Sequence, residues 1–382
     1  MEIDDLKPWV NHNVTISVIM CVHNTPRNKL EEALSSISYQ QFKDFEVIII
    51  DDCSDNYETI EYLSKFKLNW TVDLRIQPLS IFRNEENKGL AASRNYGISK
   101  ARGEWIYFID SDDYMWGLTL KTMWNVIQEW YAYMGSEIDM VIGDCLRSYG
   151  RTILGGNIKD KPILYYNRYD AMYEICNFSE IPSHMENSHE LSFNATWNKL
   201  IRKSVFDNVK FKEGYPHEDN FTTHKIFHEC RGILFVPIKT YIYRYGGNFA
   251  DGKQYKDILM IQAKEERQEF LEEWYNEVVD EQNDLDEEPI KLPPGFMKAS
   301  VWKSANLSRL SKIDYLINNN YAWIMYNMYK HYCNNSDKSV FKDILVKPAN
   351  GEIDLSQVHC KGLIKRIKNI LERDDCIEEG IR

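Results

Sequence analysis

The chain has 382 residues, is 43% hydrophobic and 13% aromatic, and carries a formal net charge of -12. Such a length allows roughly two to three domains. The apolar share excludes disorder as the default, and the acidic balance disfavours non-specific attraction to nucleic acid or anionic lipid. Eight scattered cysteines, with no C-x-x-C pair and no zinc-like spacing, read as reduced thiols. The start, MEIDDLKPWVNHN, is polar and acidic where a signal peptide is basic and then apolar. No run approaches the ~18 apolar residues of a membrane span, so a cytoplasmic location is expected.

In chain order, 16–22 (ISVIMCV) is a continuous apolar run that predicts a central strand. Pro26 suits the first turn of a helix, which Leu30, Ala33, Leu34 and Ile37 continue at helical spacing over 28–39. A second strand is predicted at 45–50 (FEVIII); it ends in Asp51 and Asp52 before a helix over 57–66. These two carboxylates suit helix capping as well as contact with a ligand. Strand, helix and strand in alternation imply right-handed parallel units, so both strand ends open on one edge of the sheet. Another strand is expected at 71–76, then a loop containing Pro78.

The segment 84–103 (NEENKGLAASRNYGISKARG) predicts a tight turn at Gly89 and a small-residue helix with Arg94 in its first turns. An arginine at the positive end of a helix dipole suits a diphosphate or a sugar, with a surface ion pair as the equal alternative. Next, 105–114 (WIYFIDSDDY) reads as a buried strand that stops abruptly in Asp110, Asp112 and Asp113. Carboxylates crowded in this way repel unless a cation lies among them, and a hard divalent ion, Mn²⁺ or Mg²⁺, takes such oxygen ligands. A solvated acidic turn is the plain alternative. No G-x-G-x-x-G and no P-loop signature occurs, which removes the dinucleotide-binding dehydrogenase and the P-loop ATPase.

The ordered set ISVIMCVHN, FEVIIIDDCSD, NKGLAASRNYGISKARGEWIYFIDSDD, TWNKLIRKSVF and YPHEDNFTTHKIF resembles glycosyltransferase family 2 over residues 14–245. The resemblance implies the GT-A fold, an α/β architecture whose Rossmann-like, mixed, mainly parallel sheet is flanked by helices, and a nucleotide-sugar donor. It implies base contacts from Cys21, His23, Asn24 and Asp52, with Asn87, Gly89 and Arg94 also on the donor side. Asp110, Asp112 and Asp113 would meet the metal and the ribose-diphosphate, with Asp110 and Asp112 as metal ligands. Asp219, with Glu218 beside it, would supply the general base. His23 departs from the family's common tyrosine and Cys53 from its usual glycine. Around the acid pair, Trp197, Asn198 and Lys199 suit an acceptor-side wall, with Trp197 either a sugar platform or core packing, and His217 also on that side. Asp219 begins a helical pattern, so simple N-capping is its plain alternative.

Beyond 252 the resemblance fades. Helical spacing over 255–280 runs into 272–288, where nine acidic residues and no basic one read as a solvated linker. Further helices are expected from 296 to 333. An amphipathic helix at 361–371 (KGLIKRIKNIL) could rest on an anionic membrane or pack on its own protein or a second subunit. The chain therefore divides into an N-terminal extension (1–13), a catalytic domain (14–252, its nucleotide-sugar half 14–115 and acceptor half 116–252) and a helical C-terminal module (253–382). The function expected is inverting, metal-dependent transfer of a hexosyl or N-acetylhexosaminyl group from a nucleotide sugar, UDP-linked first, to a glycan, polysaccharide or lipid-linked glycan. A nucleotidyltransferase, a transferase acting on modified nucleic acid and a non-catalytic nucleotide-sugar-binding protein are the alternatives.

Overall fold

The computed structural model describes residues 14–72, 78–149, 152–154, 162–176, 188–244, 253–280, 291–299 and 307–333. The extension 1–13 and the 361–371 helix lie outside these residues. In chain order the elements are β1 (Ile16–Val22), α1 (Arg27–Ser38), β2 (Phe45–Asp51), α2 (Tyr57–Val72), β3 (Leu79–Arg83), α3 (Gly89–Lys100), β4 (Trp105–Asp110), β5 (Tyr114–Met115) and α4 (Thr119–Met134). Then come β6 (Met140–Tyr149), β7 (Thr152–Leu154), β8 (Ile163–Tyr166), α5 (Arg168–Cys176), α6 (Ser188–Asn194), β9 (Lys199–Arg202), α7 (Glu218–Glu229), β10 (Ile233–Arg244), α8 (Lys253–Asp280), β11 (Phe296–Lys298) and α9 (Arg309–Cys333).

One mixed sheet runs in the order β11-β8-β10-β6-β9-β4-β1-β2-β3. Its N-terminal half is parallel, β1 lying between β2 and β4. These strands are apolar on both faces because helices cover both, and the core accordingly forms two layers, one on each side of the sheet. Short antiparallel β9 joins this half to β6 and β10.

Three expectations are corrected. No strand begins at 71: α2 continues through Val72, since extending an established helix adds one hydrogen bond per residue and Thr or Val costs only tenths of a kcal/mol. The edge strand starts instead after Pro78, whose carbonyl accepts a 2.8 Å bond from Val47 N, a position where a missing N–H costs nothing. Nor does a linker begin at 272. Leu271, Trp274 and Val278 form the buried stripe of α8 and the acids between them form its wet face, so as far as Asp280 the acidity marks one side of a helix, and 281–288 lie outside the described residues. Finally, Phe296 opens strand β11, which pairs in parallel with β8.

Helix α3 sits close to the sheet because its residues are small. A Cβ placed on Gly97 would stand 2.6 Å from Ile19 Cγ2 and 3.6 Å from Ile50 Cγ1. Gly97→Val should therefore destabilise the fold by about 1–3 kcal/mol through overpacking, read as a lower urea midpoint at unchanged slope; an unchanged midpoint would show that the helix has room to move.

Candidate active site

Strand pairing sets Cys21 opposite both Ile50 and Asp110, and Val22 opposite Asp51. The chain leaves β1 toward β2 and β3, then returns to β4 on the other side. The crevice outside Cys21 and Asp110 is thus the reversal point at which open α/β sheets bind ligands. Burial pushes the Cys21 thiol up to about 12, so it stays protonated at this position.

The turns after β1 and β2 are laced together. Asn24 adopts a left-handed φ of 52°, receives the Asp55 and Asn56 N–H groups on Oδ1 at 2.9 Å each, and donates to Asp55 Oδ1 at 2.7 Å. His23 Nδ1 lies 2.8 Å from the Asp52 carbonyl, which can only accept, so the ring proton sits on Nδ1. Nε2 then accepts from the Asn87 amide at 3.1 Å. Cys53 holds φ at 55°, where a side chain is strained and glycine is not.

Asp52 caps a helix, though not the one directly after it in the chain. Its Oδ1 accepts from Asn84 Nδ2 at 2.7 Å and Lys88 N at 2.9 Å, and its Oδ2 accepts from Gly89 N at 2.8 Å. It thereby satisfies N–H groups at the start of α3, while Asn56 caps α2. Asp51 instead pairs with Arg83 and accepts from Ser54 N at 2.9 Å.

Arg94 is only 3% exposed and is spent on two carboxylates. Nη1 pairs with Glu218 at the start of α7, and Nη2 pairs with Asp110 at the end of β4 at 3.1 Å. The rings of Phe108 and Phe211 flank its guanidinium at 5.7 and 5.5 Å. Burial would favour the neutral guanidine, but Glu218 and Asp110 more than offset that and keep it cationic. This clamp brings the acid pair of α7 to the crevice.

The three acids after β4 go separate ways. Asp110 and Asp112 have partly exposed side chains, 29% and 32% respectively. Burial raises Asp110 to about 6, opposed by Arg94. Lys29 Nζ stands 3.6 Å from Asp112. Asp113 is buried and faces β10, accepting from the Tyr241 hydroxyl at 2.9 Å and Arg244 N at 2.7 Å. Burial and the neighbouring acids push it well up. Among the described residues no cluster of three or more His, Cys, Asp or Glu could close a metal site. Mg²⁺ and its like, however, are held by one or two carboxylates with the remaining positions left to phosphate and water. Asp110 and Asp112 fit that pattern.

Asp219 lies one residue inside α7 and is not its N-cap; His217 is, with φ at 61°. Asp219 Oδ1 accepts from Asn220 N at 2.8 Å and Asn220 Nδ2 at 3.1 Å, while Oδ2 has no hydrogen-bond partner among the described residues. Burial, then Glu218, raises its carboxyl to about 7. It borders a cavity of about 930 Å³ that also takes in Asp110, Arg94, Trp197, Tyr215, His217 and Tyr243. Asn87 and Gly89 reach the rim of the same space, whereas Cys21, His23, Asn24 and Asp52 do not line it.

Within the segment expected on the acceptor side, Trp197, Asn198 and Lys199 are placed differently. Trp197 stacks on Tyr241 at 4.3 Å and on Tyr243 at 5.4 Å, so it is both packed and cavity-lining. Asn198 is fully buried, taking the Thr240 hydroxyl at 2.8 Å and donating to the Asp144 carbonyl at 3.0 Å. Lys199 is buried too, its ammonium bound to the Ser192 and Ala195 carbonyls at the end of α6; burial lowers it to about 7. Sequence reading missed Tyr241, Tyr243, Tyr215 and Met260. The two β10 tyrosines carried a signal, since positions two apart on a strand share a face. Tyr215 stands at the head of the YPHED motif, four positions before Asp219, and for Met260 there was no signal.

Known proteins share this arrangement of strands and motifs. The profile of glycosyl transferase family 2 matches residues 17–210. The chain belongs to that family. It is 30% identical over 233 residues to the glycosyltransferase GlyG of Streptococcus pneumoniae serotype 4, covering 60% of this chain and 70% of that one. Likewise it is 30% identical over 201 residues to the poly(ribitol-phosphate) beta-N-acetylglucosaminyltransferase TarP of Staphylococcus aureus, about half of each chain (52% and 51%). The crystal structure of S. aureus TarS 1-349 with UDP-GlcNAc superposes with a TM-score of 0.53 at 18% identity, covering 84% of this chain and 74% of that one, which shows a shared GT-A fold. Among the described residues no helix is long and apolar enough to cross a membrane.

The clamp makes a sharp stability prediction. Removing the buried cation in Arg94→Met leaves Glu218 and Asp110 without a partner and should cost about 3–5 kcal/mol. In a double-mutant cycle Glu218→Gln should recover part of that loss; strictly additive unfolding energies would show that the two side chains are not coupled.

Proposed function

We propose that this family 2 glycosyltransferase moves a sugar from a nucleoside diphosphate, UDP first among candidates, to a glycan acceptor, with inversion. The carrying observation is Asp219. A carboxylate raised to about 7, on a residue bordering a large cavity, with one oxygen tied down and the other free of hydrogen bonds among the described residues, is suited to take a proton near neutral pH. The neighbouring crevice, with Asp110 and Asp112 at its edge, supports a place for the nucleoside diphosphate. TarS binds UDP-GlcNAc and TarP's name specifies N-acetylglucosaminyl transfer, which supports the choice of donor.

In this reading Asp219 accepts the acceptor hydroxyl's proton while that oxygen bonds to the anomeric carbon and the bond to the diphosphate breaks. Attack on the face opposite the leaving group inverts the centre. Asp110 and Asp112 would hold a divalent cation, Mn²⁺ or Mg²⁺, which when bound stabilises the charge growing on the diphosphate. Trp197, Tyr243 and Tyr215 offer aromatic faces to the apolar sides of sugar rings. Arg94 stays on its two carboxylates and positions Glu218 and Asp219. A glycan acceptor is favoured over nucleic acid because the cavity borders carry Asp110, Glu218 and Asp219 against Lys88 and an Arg94 that is already paired.

Asp219→Asn should lower transfer by about 10²- to 10⁴-fold with UDP affinity nearly unchanged. Because the ionised form is the active one and burial raises its pKa, wild-type turnover should climb as pH rises through about 7, and this limb should vanish in the variant. Near-wild-type transfer by Asp219→Asn would refute the assignment, and Glu218→Gln run alongside identifies the neighbouring acid as the base if it alone is dead. Chelator excess and Asp112→Ala should each weaken UDP binding as well as turnover; full activity in chelator would remove the cation from the reading.

A further inference from the structure

Arg267 lies on the inner face of α8, beyond the residues that match the family profile, and is 2% exposed. Its Nη1 donates to the Ile175 carbonyl at 3.2 Å and its Nη2 to the Asn220 carbonyl at 3.4 Å. A single guanidinium therefore spans the end of α5 and the first turn of α7. Its Nε has no hydrogen-bond partner, and among the described residues no carboxylate pairs with it. Holding an unpaired charge in a core is costly, and an apolar side chain of similar volume would avoid the cost. Burial works against the charge of Arg267; the Cys176 side chain supports it, and after that the carboxylate of Asp219.

The preceding residue grips the same region from another side. Glu266 pairs with Lys212, and with Lys225 of α7 at 2.7 Å. Lys212 Nζ in turn lies 4.4 Å from the ring of Tyr215 and 4.9 Å from that of Phe221. One turn and more toward its start, α8 puts Met260 into the cavity border. Successive residues of α8 thus hold both the loop that carries Tyr215 and the turn that carries Asp219.

Charged groups on several elements act on Asp219: Glu218 beside it on α7, Arg94 on α3, Asp110 on β4, Lys199 on β9 and Arg267 on α8. Arg94 is matched by Glu218 and Asp110, and Lys199 is spent on two carbonyls. Arg267 has no carboxylate paired with it among the described residues, only the Cys176 side chain and the two carbonyls.

We propose that Arg267 is a positioning residue for sugar transfer: its fork fixes the first turn of α7 against α5, and its charge supports the ionised carboxylate of Asp219. The inference rests on Asp219 being the base. It also gives the helical region after residue 252 a part in the catalytic centre.

The test separates fork from charge in the full chain, using Arg267→Gln and Arg267→Lys. The titration midpoint of Asp219 is read by NMR of ¹³C-labelled carboxyls, assigned by its absence in Asp219→Asn. UDP affinity with Mn²⁺ and UDP release from UDP-GlcNAc are measured beside it. Arg267→Gln should move the Asp219 midpoint up by about half a unit to one unit, the direction expected when a nearby opposite charge is removed. Turnover should fall about ten- to a hundredfold through misplacement of the base, with UDP affinity within about twofold of wild type. Arg267→Lys should keep the wild-type midpoint and still lose turnover, because an ammonium cannot span both carbonyls as the fork does. An unmoved midpoint in Arg267→Gln, or wild-type turnover in Arg267→Lys, overturns the proposal. Should Arg267→Gln fail to fold, the turnover of Arg267→Lys decides alone. Wild-type transfer by Asp219→Asn would instead sink the base assignment itself, whatever the Arg267 variants do.

Discussion

The site depends on one buried guanidinium. Arg94 stands between Asp110, at the end of a parallel strand, and Glu218, at the start of a helix more than a hundred residues later. Either carboxylate alone in that setting would be expensive to ionise, as would the arginine; together they offset one another's desolvation. The consequence reaches beyond stability. Because the clamp seats Glu218 in the crevice, Asp219 is brought beside it, and burial with that neighbour lifts its carboxyl into the neutral range. A residue that reads equally as a ligand for a diphosphate or sugar and as half of an ion pair is thus a tie between the two halves of the sheet.

A second constraint comes from β10. Its Tyr241 donates to Asp113 and receives the Asp110 N–H at 3.1 Å, while its ring carries Trp197. One tyrosine links the acidic turn to the aromatic border of the cavity, so the floor of the site is continuous with the sheet. Asn198, at φ 58°, locks the same region to Thr240 and Asp144. Gly143 completes it, for a Cβ there would stand 1.9 Å from the Thr240 hydroxyl. Rigid elements of this kind can hold a reacting group to within the small tolerances that transfer chemistry needs.

The C-terminal helices belong to this arrangement. Leu271, Trp274 and Val278 of α8 and Ile313, Leu316 and Tyr321 of α9 share one buried cluster with Phe193, Phe227 and Phe235 beneath the cavity. Asn320 of α9 donates to the Lys264 carbonyl and the Gln268 side chain, at 2.8 and 3.0 Å. The two helices pack on each other and on α5 and α7, and β11 extends the same sheet at its far edge. Helices α8 and α9, both beyond the family's matched segment, are therefore joined to the core by packing.

Much of this was legible in the amino-acid order. Continuous apolar runs identified β1, β2 and β4, the last two ending in acids, because a strand buried on both faces has no polar alternation and must shed its polarity at the sheet edge. Motif order alone placed the chain in its family and its fold. Segments weakly patterned or amphipathic in an unexpected sense were not legible: α2 ran on through 71–72, and the acids from 272 to 280 proved to lie on the wet face of α8. Side-chain partners were decided by the tertiary structure alone. Asp52 caps a helix thirty-odd residues away, Asp113 turns inward to β10, and Arg94 finds Glu218 across the sheet. Local spacing reports on neighbours along the chain, whereas a charge or a hydrogen-bond donor is satisfied by whichever group the fold brings within reach, and that distance is written only in three dimensions.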